Sequence, residues 1–339
     1  MKFGIFDHID RQDDIPIAQT FEERLKLLEI ADTKDFYAYH LAEHHHTPLG
    51  TVSSPSVFIA AAGQRTKRIR LCPLVYLLPM YHPLRLIEEI AMLDHLTNGR
   101  FEFGIGKGVS PYERAFYGIP FLDAQDIFDE NLEILMKGLT SEKLNHKGER
   151  YRFAQAPIAI PPLQRPLPPM WYAIAHMSSV PFCAERGFNL ISLVPPVVCK
   201  DLFSAYREQF AANMDHPLRQ YSPIKDPFIG LYRLLYVGET DEEAEKIGRP
   251  AFDKWAHSFS KLWQDFGVQD IYMQGYDHAK KSGFFIAGSP ESVRQQIEAQ
   301  AAVCDPNYMI FSIAYGNMSH DHAKASMALL TDEVMPKVK

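Results

Sequence analysis

The feature that most constrains this fold is a repeated alternation of short apolar runs with amphipathic segments. From residue 2 to residue 108, strand and helix patterns alternate at intervals of about 33 residues, which is typical of a parallel sheet with crossover helices. The predicted strands are Lys2–Phe6, Phe36–Leu41, Ile69–Leu78, Arg100–Gly108, Met170–Ala175, Asn189–Leu193, Phe228–Val237 and Tyr308–Ala314. Eight strands that alternate with helices predict an α/β fold, a (β/α)8 TIM barrel, rather than an open doubly wound sheet.

Length and composition narrow the possible functions. The 339 residues suit one barrel domain, 1–339, with insertions, because such barrels need roughly 250 residues. The net charge of −7, without long runs of either sign, argues against nucleic acid or an anionic membrane as the main partner. The four cysteines form no CxxC pair, and the N-terminus lacks the apolar core of a signal peptide. We therefore expect a cytoplasmic protein with reduced thiols.

A titratable cluster, Glu43–His46, directly follows the second predicted strand. The C-terminal ends of barrel strands carry the chemistry of such folds, and imidazole exchanges protons near neutral pH. Two other interpretations stay open. Histidine and glutamate are good zinc ligands, although adjacent strand residues diverge and no H-E-x-x-H spacing occurs. A loop histidine can also serve only to hydrogen-bond nearby backbone. The favoured interpretation is that at least one histidine is catalytic or contacts a cofactor.

Residues 261–287 fit neither a helix nor a strand pattern cleanly. The stretch KLWQDFGVQDIYMQGYDHAKKSGFFIA is polar and aromatic, and it is long for an irregular connection inside a compact domain. Long loops of this kind are often lids that close over a site. We therefore expect a mobile lid loop at 261–287.

Several motifs together resemble the bacterial luciferase-like flavin monooxygenases. The most specific match is the block from 77 to 108, LLPMYHPLRLIEEIAMLDHLTNGRFEFGIGKG. The other matching motifs, in chain order, are MKFGIF, AEHHHTPLG, AGSPESV and ALLTDEVMPKV. They span almost the whole chain in the order expected for the family, whereas the EHH motif alone would be weak support.

The resemblance implies a luciferase-like barrel that binds reduced FMN at its C-terminal mouth and uses dioxygen through a flavin C4a-hydroperoxide. A separate flavin reductase usually supplies the reduced flavin. The position of the family's catalytic histidine corresponds to His44, with His45 beside it. The family's non-proline cis peptide would lie at Leu74–Val75, in contact with the flavin, and its lid at 261–287. The third helix forms the family's subunit interface, so a homodimer is expected.

Departures from the family pattern concern the flavin pocket. Gly106 stands where luciferases carry a reactive cysteine, which would enlarge or reshape the pocket floor. Lys107 replaces an arginine for the flavin phosphate; lysine also suits a phosphate, as a point charge.

The exit of the fifth predicted strand also differs. It reads Ala175, His176, Met177, Ser178, Ser179 where luciferases use a glutamate, a serine and a threonine, and Ser179 matches the threonine in kind. His176 would add a donor, and backbone N–H groups at the start of the following helix would hold the phosphate without side chains. The serines are also compatible with a simple helix cap.

Two other functions stay open at this point. Relatives on the same barrel use a deazaflavin (F420) for hydride transfer, without oxygen. Luciferase heterodimers also contain a non-catalytic subunit, so the fold alone does not imply turnover; retention of His44 argues against that alternative. The sequence does not identify the small organic substrate.

Overall fold

The structure, a computed structural model, describes residues 1–268 and 275–338 and forms a barrel of parallel strands. Its strands are β1 (Lys2–Asp7), β2 (Phe36–Leu41), β3 (Arg70–Pro73), β4 (Tyr76–Leu77), β5 (Phe103–Gly106), β6 (Lys143–Lys147), β7 (Arg152–Pro157), β8 (Met170–Ala173), β9 (Asn189–Ser192), β10 (Ile229–Val237), β11 (Phe285–Gly288) and β12 (Tyr308–Ser312). Strands β6 and β7 form a separate antiparallel hairpin, and the other strands belong to one sheet.

The sheet closes on itself through its third strand. The strand order is β3-β2-β1-β12-β10-β9-β8-β5-β4, and β11 adds to β10. The two end members, β3 and β4, are halves of the single run predicted at Ile69–Leu78. Leu71 bridges to Phe101, and Tyr76 pairs with Ile105 of β5. The third strand therefore contacts both neighbours, which confirms the predicted barrel.

Helices surround the barrel and connect its strands. The α-helices are α1 (Ile17–Asp32), α2 (Pro55–Arg65), α3 (Pro83–Leu96), α4 (Pro111–Phe116), α5 (Ala124–Thr140), α6 (Val180–Arg186), α7 (Pro196–Ala212), α8 (Asp241–Asp265), α9 (Tyr276–Lys281), α10 (Pro290–Cys304) and α11 (His320–Leu329). Short 3-10 segments lie at Leu78–Met80, Met177–Ser179, Pro217–Tyr221 and Met335–Lys337, and a π-helical turn lies at Leu330–Val334. None of the described helices is long and apolar enough to cross a membrane.

A buried carboxylate holds the N-terminal end of the barrel together. Glu102 is fully buried just before β5, and its carboxylate accepts hydrogen bonds from Tyr37 Oη and Trp171 Nε1, both at 2.5 Å. The Nε of Arg70 also donates to it. Because these partners lie on β2, β3 and β8, this end of the barrel is cross-linked by charge-assisted hydrogen bonds. The network holds the strands at this end, so the loops at the opposite, C-terminal mouth are not needed to hold the strands together.

The structure corrects the interpretation of residues 261–287 as one irregular segment. Helix α8 continues to Asp265, and α9 and β11 occupy Tyr276–Lys281 and Phe285–Gly288. The aromatic residues near 262 belong to the helical face of α8, which is why the stretch lacks a polar loop pattern. Residues 269–274 of the predicted lid lie outside the described residues, so a moving lid stays a prediction.

Two helices begin at positions that the sequence signals only weakly. Helix α1 begins at Ile17, and Thr20, a residue type that often caps helices, lies inside it and donates from its hydroxyl to the carbonyl of Pro16 at 3.5 Å. Helix α4 was not predicted, because its six residues are too few for a periodic pattern. It carries two residues of the candidate site.

Candidate active site

The histidine cluster lies at the C-terminal mouth of the barrel, as the sequence predicts. Strand β2 ends at Leu41, and the chain then turns across the mouth through Glu43–His46. His46 adopts a positive φ of 57° and is exposed, so the turn separates it from its two neighbours. Each of these neighbours, His44 and His45, meets a different carboxylate.

His44 forms a hydrogen-bonded pair with a residue of α4. Its Nδ1 lies 3.1 Å from Oε1 of Glu113. The second oxygen of the same carboxylate accepts the backbone N–H of His45 at 3.0 Å. Because a carboxylate accepts hydrogen bonds, neutral His44 carries its proton on Nδ1 and presents the lone pair of Nε2. This arrangement suits His44 for proton transfer at the mouth.

The start of α4 holds Glu113 in place. Ser110 occupies the N-cap position, and its Oγ accepts the backbone N–H of Glu113 at 3.3 Å. A carboxylate in the first helical turn is also favoured by the helix dipole. The local motif Ser-Pro-x-Glu is a helix-start signal that the sequence offered and that our prediction did not use.

His45 has no ring nitrogen left for chemistry. Its Nε2 lies 2.8 Å from Oε1 of Glu43, and its Nδ1 accepts a hydrogen bond from Tyr117 Oη at 2.8 Å. Glu43 also accepts from Tyr81 Oη at 2.9 Å and from the backbone N–H of Leu77 at 3.2 Å. Burial raises the pKa of the Glu43 carboxyl, although these donors oppose the shift. Glu43 therefore orients His45 and joins the β2 loop to β4.

A second imidazole, His8, lies beside His44 at the end of β1. The two rings are 5.7 Å apart between centroids. Indole Nε1 of Trp255 donates to Nδ1 of His8 at 3.4 Å. Burial holds the pKa of His8 well below its usual value, and repulsion from His44 lowers it further. His8 was not predicted as a site residue, because the neighbouring sequence contains no motif that distinguishes a functional histidine from a structural one.

The third strand contains the cis peptide bond implied by the family resemblance. The bond between Leu74 and Val75 is cis, which confirms that expectation. Glycines on β5 let these residues lie close to the strand: a Cβ at Gly104 would come within 2.5 Å of Leu74 Cδ1, and one at Gly106 within 2.6 Å of Val75 Cγ2. Gly106 therefore does not enlarge the pocket floor, because Val75 already fills the space beside it.

Lys107 lies in the loop that follows β5. Its side chain is exposed and makes no ion pair or hydrogen bond with any described residue. The loop itself is held by Arg114, whose Nη1 donates to the carbonyls of Gly108 at 2.5 Å and Lys107 at 3.4 Å. Burial lowers the pKa of Arg114. Arg114 was not predicted from the sequence. Its guanidinium holds the backbone of the loop, whereas the ammonium group of Lys107 remains free to bind a ligand.

The exit of β8 presents small and polar residues. Ala173 is exposed although β8 pairs with β5 and β9 on its two sides, so the barrel mouth is open at this point. Ala175 is half-buried, and His176 and Ser178 are exposed. Ser179 lies at the N-cap position of α6 without a side-chain capping hydrogen bond. Ser179 therefore holds the cap position predicted from the sequence, but its hydroxyl makes no capping hydrogen bond and is available to a ligand.

The predicted site residues thus lie at one end of the barrel, on four different strand ends, and Leu74 and Val75 directly follow β3. His44 and His45 follow β2. Gly106 is the last residue of β5, and Lys107 follows it. The polar group from Ala175 to Ser179 follows β8. Within residues 1–268 and 275–338, no group of three or more histidine, cysteine or acidic side chains is arranged to hold a metal ion. The two histidine–carboxylate pairs instead use separate carboxylates.

Comparisons with known proteins agree on one family. Residues 1–304 match the family model described as Luciferase-like monooxygenase. The chain is 27% identical, over 99% of its length and 95% of the relative, to the oxygenase component of the flavin-dependent trigonelline monooxygenase of Acinetobacter baylyi.

Two solved structures share the fold over the whole chain. The monooxygenase RslO1 from Streptomyces bottropensis has a TM-score of 0.88 and 26% identity, with 99% of each chain covered. The oxygenating constituent of 3,6-diketocamphane monooxygenase from Pseudomonas putida, a type II Baeyer-Villiger monooxygenase in complex with FMN, has a TM-score of 0.80 and 22% identity. It covers 100% of this chain and 99% of its own, and at this identity it shows the fold alone.

Proposed function

This chain belongs to the luciferase-like monooxygenase family, and from that premise we propose that it binds reduced FMN and uses dioxygen to oxygenate a small organic substrate. The observation that carries the proposal is the His44–Glu113 pair, 3.1 Å apart at the open mouth of the barrel. Two similar proteins support the choice of cofactor, because one relative is named flavin-dependent and one similar structure holds FMN.

The residues at the mouth fit a flavin phosphate. Four donor side chains, those of Lys107, His176, Ser178 and Ser179, have no hydrogen-bond or ion-pair partner among the described residues. They follow the adjacent strands β5 and β8. A phosphate needs several such donors, and a lysine supplies the compensating charge. These four residues would hold the phosphate end of FMN.

The residues between the phosphate donors and His44 fit a flat ring. Ala173, Ala175 and Gly106 are small residues with partly exposed surface at the ends of β8 and β5. Leu74 and Val75 lie against the β5 glycines and form the neighbouring wall. An apolar, narrow wall of this kind suits an isoalloxazine ring.

His44 would move the protons that the reaction requires. Bound reduced FMN would supply the two electrons with which one oxygen atom of dioxygen enters the product and the other becomes water. The hydrogens that leave the reduced flavin end in the water formed, so protons must be passed within the site, and Nε2 of His44 is the ring nitrogen free to exchange one. Glu113 holds the ring and its tautomer. His45 is assigned a positioning role, because both of its ring nitrogens are already bonded.

A separate flavin reductase would be the partner. The relative from Acinetobacter is named as an oxygenase component, which implies a second component in that system. In this chain the proposal predicts that reduced FMN arrives by transfer from a reductase. Mixing the protein with a flavin reductase and NAD(P)H should therefore support turnover, whereas NAD(P)H alone should not.

The first test is a titration with reduced FMN under argon, followed by admission of air. We expect saturable binding by fluorescence, and oxygen uptake that yields oxygenated product when apolar ketones, aldehydes and aromatic compounds are screened. His44→Ala should retain FMN binding and lose turnover by roughly 10²- to 10⁴-fold, the usual contribution of proton transfer. His46→Ala is the matched control, since His46 is exposed in the same turn, and should keep turnover.

Other outcomes would replace the proposal. A protein that binds a deazaflavin but not FMN, and reduces it without oxygen uptake, would be a hydride-transfer enzyme. A protein that binds FMN but turns over no compound and is unaffected by His44→Ala would be a non-catalytic flavin-binding subunit. Full turnover by His44→Ala would remove the proton-transfer role even if the flavin chemistry stands.

A further inference from the structure

His8 and His44 present opposite hydrogen-bonding groups to the barrel mouth. The indole N–H of Trp255 is only a donor, so Nδ1 of His8 must accept, and neutral His8 carries its proton on Nε2. His44 has the reverse tautomer, because its Nδ1 donates to Glu113. Two adjacent imidazoles thus differ in character: His8 offers an N–H donor, and His44 offers a lone pair.

Nε2 of His8 has no partner within the described part of the chain. No hydrogen bond involves it, and it is not among the buried polar atoms without partners, so it keeps contact with solvent. The residue as a whole is only 6% exposed. An N–H group in a nearly closed, aromatic environment binds an acceptor more selectively than one in open solvent, because water competes less.

The surroundings of His8 are aromatic. Phe6 lies 5.0 Å from the His8 ring, and Tyr232 lies 4.7 Å from Phe6. Trp255 completes the wall at 5.9 Å. These residues lie on β1, β10 and α8, and β1 is diametrically opposite β8 in the closed strand order. This aromatic wall beside His8 is therefore on the side of the mouth away from the donors assigned to the flavin phosphate.

An aromatic stripe along α8 and the residue after its end continues this wall. Its members lie at helical spacing on one face of the helix: Trp255, Phe259, Trp263 and Phe266. Successive rings are in contact, at 5.6 Å for Trp255–Phe259 and 5.8 Å for Phe259–Trp263. Trp255 is 2% exposed and Trp263 8%, whereas Phe266 is 52% exposed and stacks on Tyr112 of α4 at 4.3 Å. The stripe therefore extends the aromatic wall beside His8 as far as α4.

We propose that His8 is a specificity-determining residue that donates a hydrogen bond from Nε2 to the carbonyl oxygen of a ring-containing apolar substrate held beside Phe6 and Trp255. This rests on the proposed function, since it assigns the substrate side of the same mouth. The acceptor on His44 belongs to the neighbouring ring, 5.7 Å from His8 between centroids, so one substrate could reach both imidazoles. A site built to donate a hydrogen bond rejects an analogue that lacks the acceptor, because the buried N–H is then left unpaired.

The test compares two ligands of equal shape by ligand-observed NMR titration of the full chain. Acetophenone carries the acceptor oxygen, and α-methylstyrene replaces it with a methylene group. We expect the protein to bind acetophenone roughly three- to tenfold more tightly, the ratio for one net hydrogen bond. His8→Phe should reduce this ratio to about 1 without weakening α-methylstyrene. The matched control is His257→Phe, the same substitution on the exposed face of α8, which should leave the ratio unchanged.

Two further variants keep the test decisive if His8→Phe fails to fold. His8→Gln retains an N–H donor and should preserve most of the preference for acetophenone. Trp255→Phe removes the indole donor that fixes the His8 tautomer and should lower the preference. A ratio that is equal to 1 in the unmodified protein, or that survives His8→Phe, overturns the proposal.

Reduced FMN is titrated into the same variants so that the two proposals are judged separately. We expect His8→Phe to bind FMN like the unmodified protein. Loss of FMN binding in His8→Phe with an unchanged ligand ratio would place His8 against the cofactor and overturn the inference. Ligand discrimination by a protein that binds no FMN would retain the inference and reject the proposed function.

Discussion

At the scale of single residues, neighbouring histidines in one turn have different roles because they form hydrogen bonds with different partners. His44 keeps one ring nitrogen free, whereas His45 is bonded at both. The difference follows from the carboxylates: Glu113 comes from a helix at the mouth, and Glu43 from the buried strand end. A run of identical residue types thus divides into one reactive group and one positioning group.

Replacing Glu113 by glutamine tests the positioning of His44. We expect kcat to fall by about 10- to 100-fold, because the amide cannot stabilise a charged imidazole as a carboxylate does. The affinity for reduced FMN and the free energy of unfolding should change little. Glu133→Gln, on the exposed face of α5, is the control. Unchanged kcat in Glu113→Gln alongside an inactive His44→Ala would show that the carboxylate is dispensable.

His40 predicts a pH dependence of stability. Burial lowers the pKa of this histidine to about 3, whereas the unfolded value is near 6.5. Between these values the unfolded state binds more protons, so His40 makes the free energy of unfolding fall as the pH decreases from about 6.5 toward 3. Between pH 7.5 and pH 5, the free energy of unfolding measured with urea should therefore fall by about 2 kcal/mol more for the unmodified protein than for His40→Gln. Parallel pH curves for the two proteins would contradict the assignment.

At the scale of elements, the short helix α4 contributes more to the site than its length suggests. It supplies Glu113 to His44, Arg114 to the β5 loop and, just after its end, Tyr117 to His45. One turn of helix therefore joins the loops that follow β2 and β5. A periodic pattern needs more residues than α4 has, which explains why the sequence analysis missed it.

The close approach of the third strand to β5 can be tested with a double-mutant cycle. Gly106→Ala should lower the free energy of unfolding by about 1–3 kcal/mol, because the new Cβ would meet Val75 Cγ2 at 2.6 Å. Val75→Ala removes that contact, so the double variant should be more stable than the sum of the single changes predicts. Urea denaturation measures all four proteins. Strict additivity would mean that the two residues do not compete for the same space.

At the scale of the whole molecule, the closed barrel places the network that stabilises it and the candidate active site at opposite ends. The Glu102 network cross-links β2, β3, β5 and β8 at the N-terminal end, while the loops of the same strands converge at the other end. Because parallel strands all point the same way, residues far apart in sequence meet at one mouth. The His44–Glu113 pair spans 69 positions of sequence.

The outer surface predicts a homodimer. Large apolar side chains are exposed on α2 and α3, at 71% for Val57, 50% for Met92 and 46% for Leu96. Covering them in a second copy would bury apolar surface, which is the main driving force of association. Sedimentation velocity at micromolar concentration should show a dimer, and Met92→Glu with Leu96→Glu should shift it to monomer. Val303→Glu on α10 is the matched control; a dimer that survives the double change would locate the interface elsewhere.

Much of the fold was accessible from the sequence because its signals are local. Alternating apolar runs located the eight barrel strands, and Ser-Pro pairs marked the starts of α2 and α10. Strand β11 was missed because its four residues follow a segment without a clear pattern. The end of α8 was placed too early because its polar and aromatic residues alternate irregularly there.

The sequence by itself determined the barrel class, the family resemblance and the position of His44 at a strand end, since each depends on contiguous residues. Only the tertiary structure decided which partners meet. Glu113, Trp255 and Tyr117 reach their histidines from distant elements, and the hydrogen bonds that fix each tautomer exist only once the strands are in register. Local patterns encode elements, whereas the roles of polar side chains depend on long-range geometry.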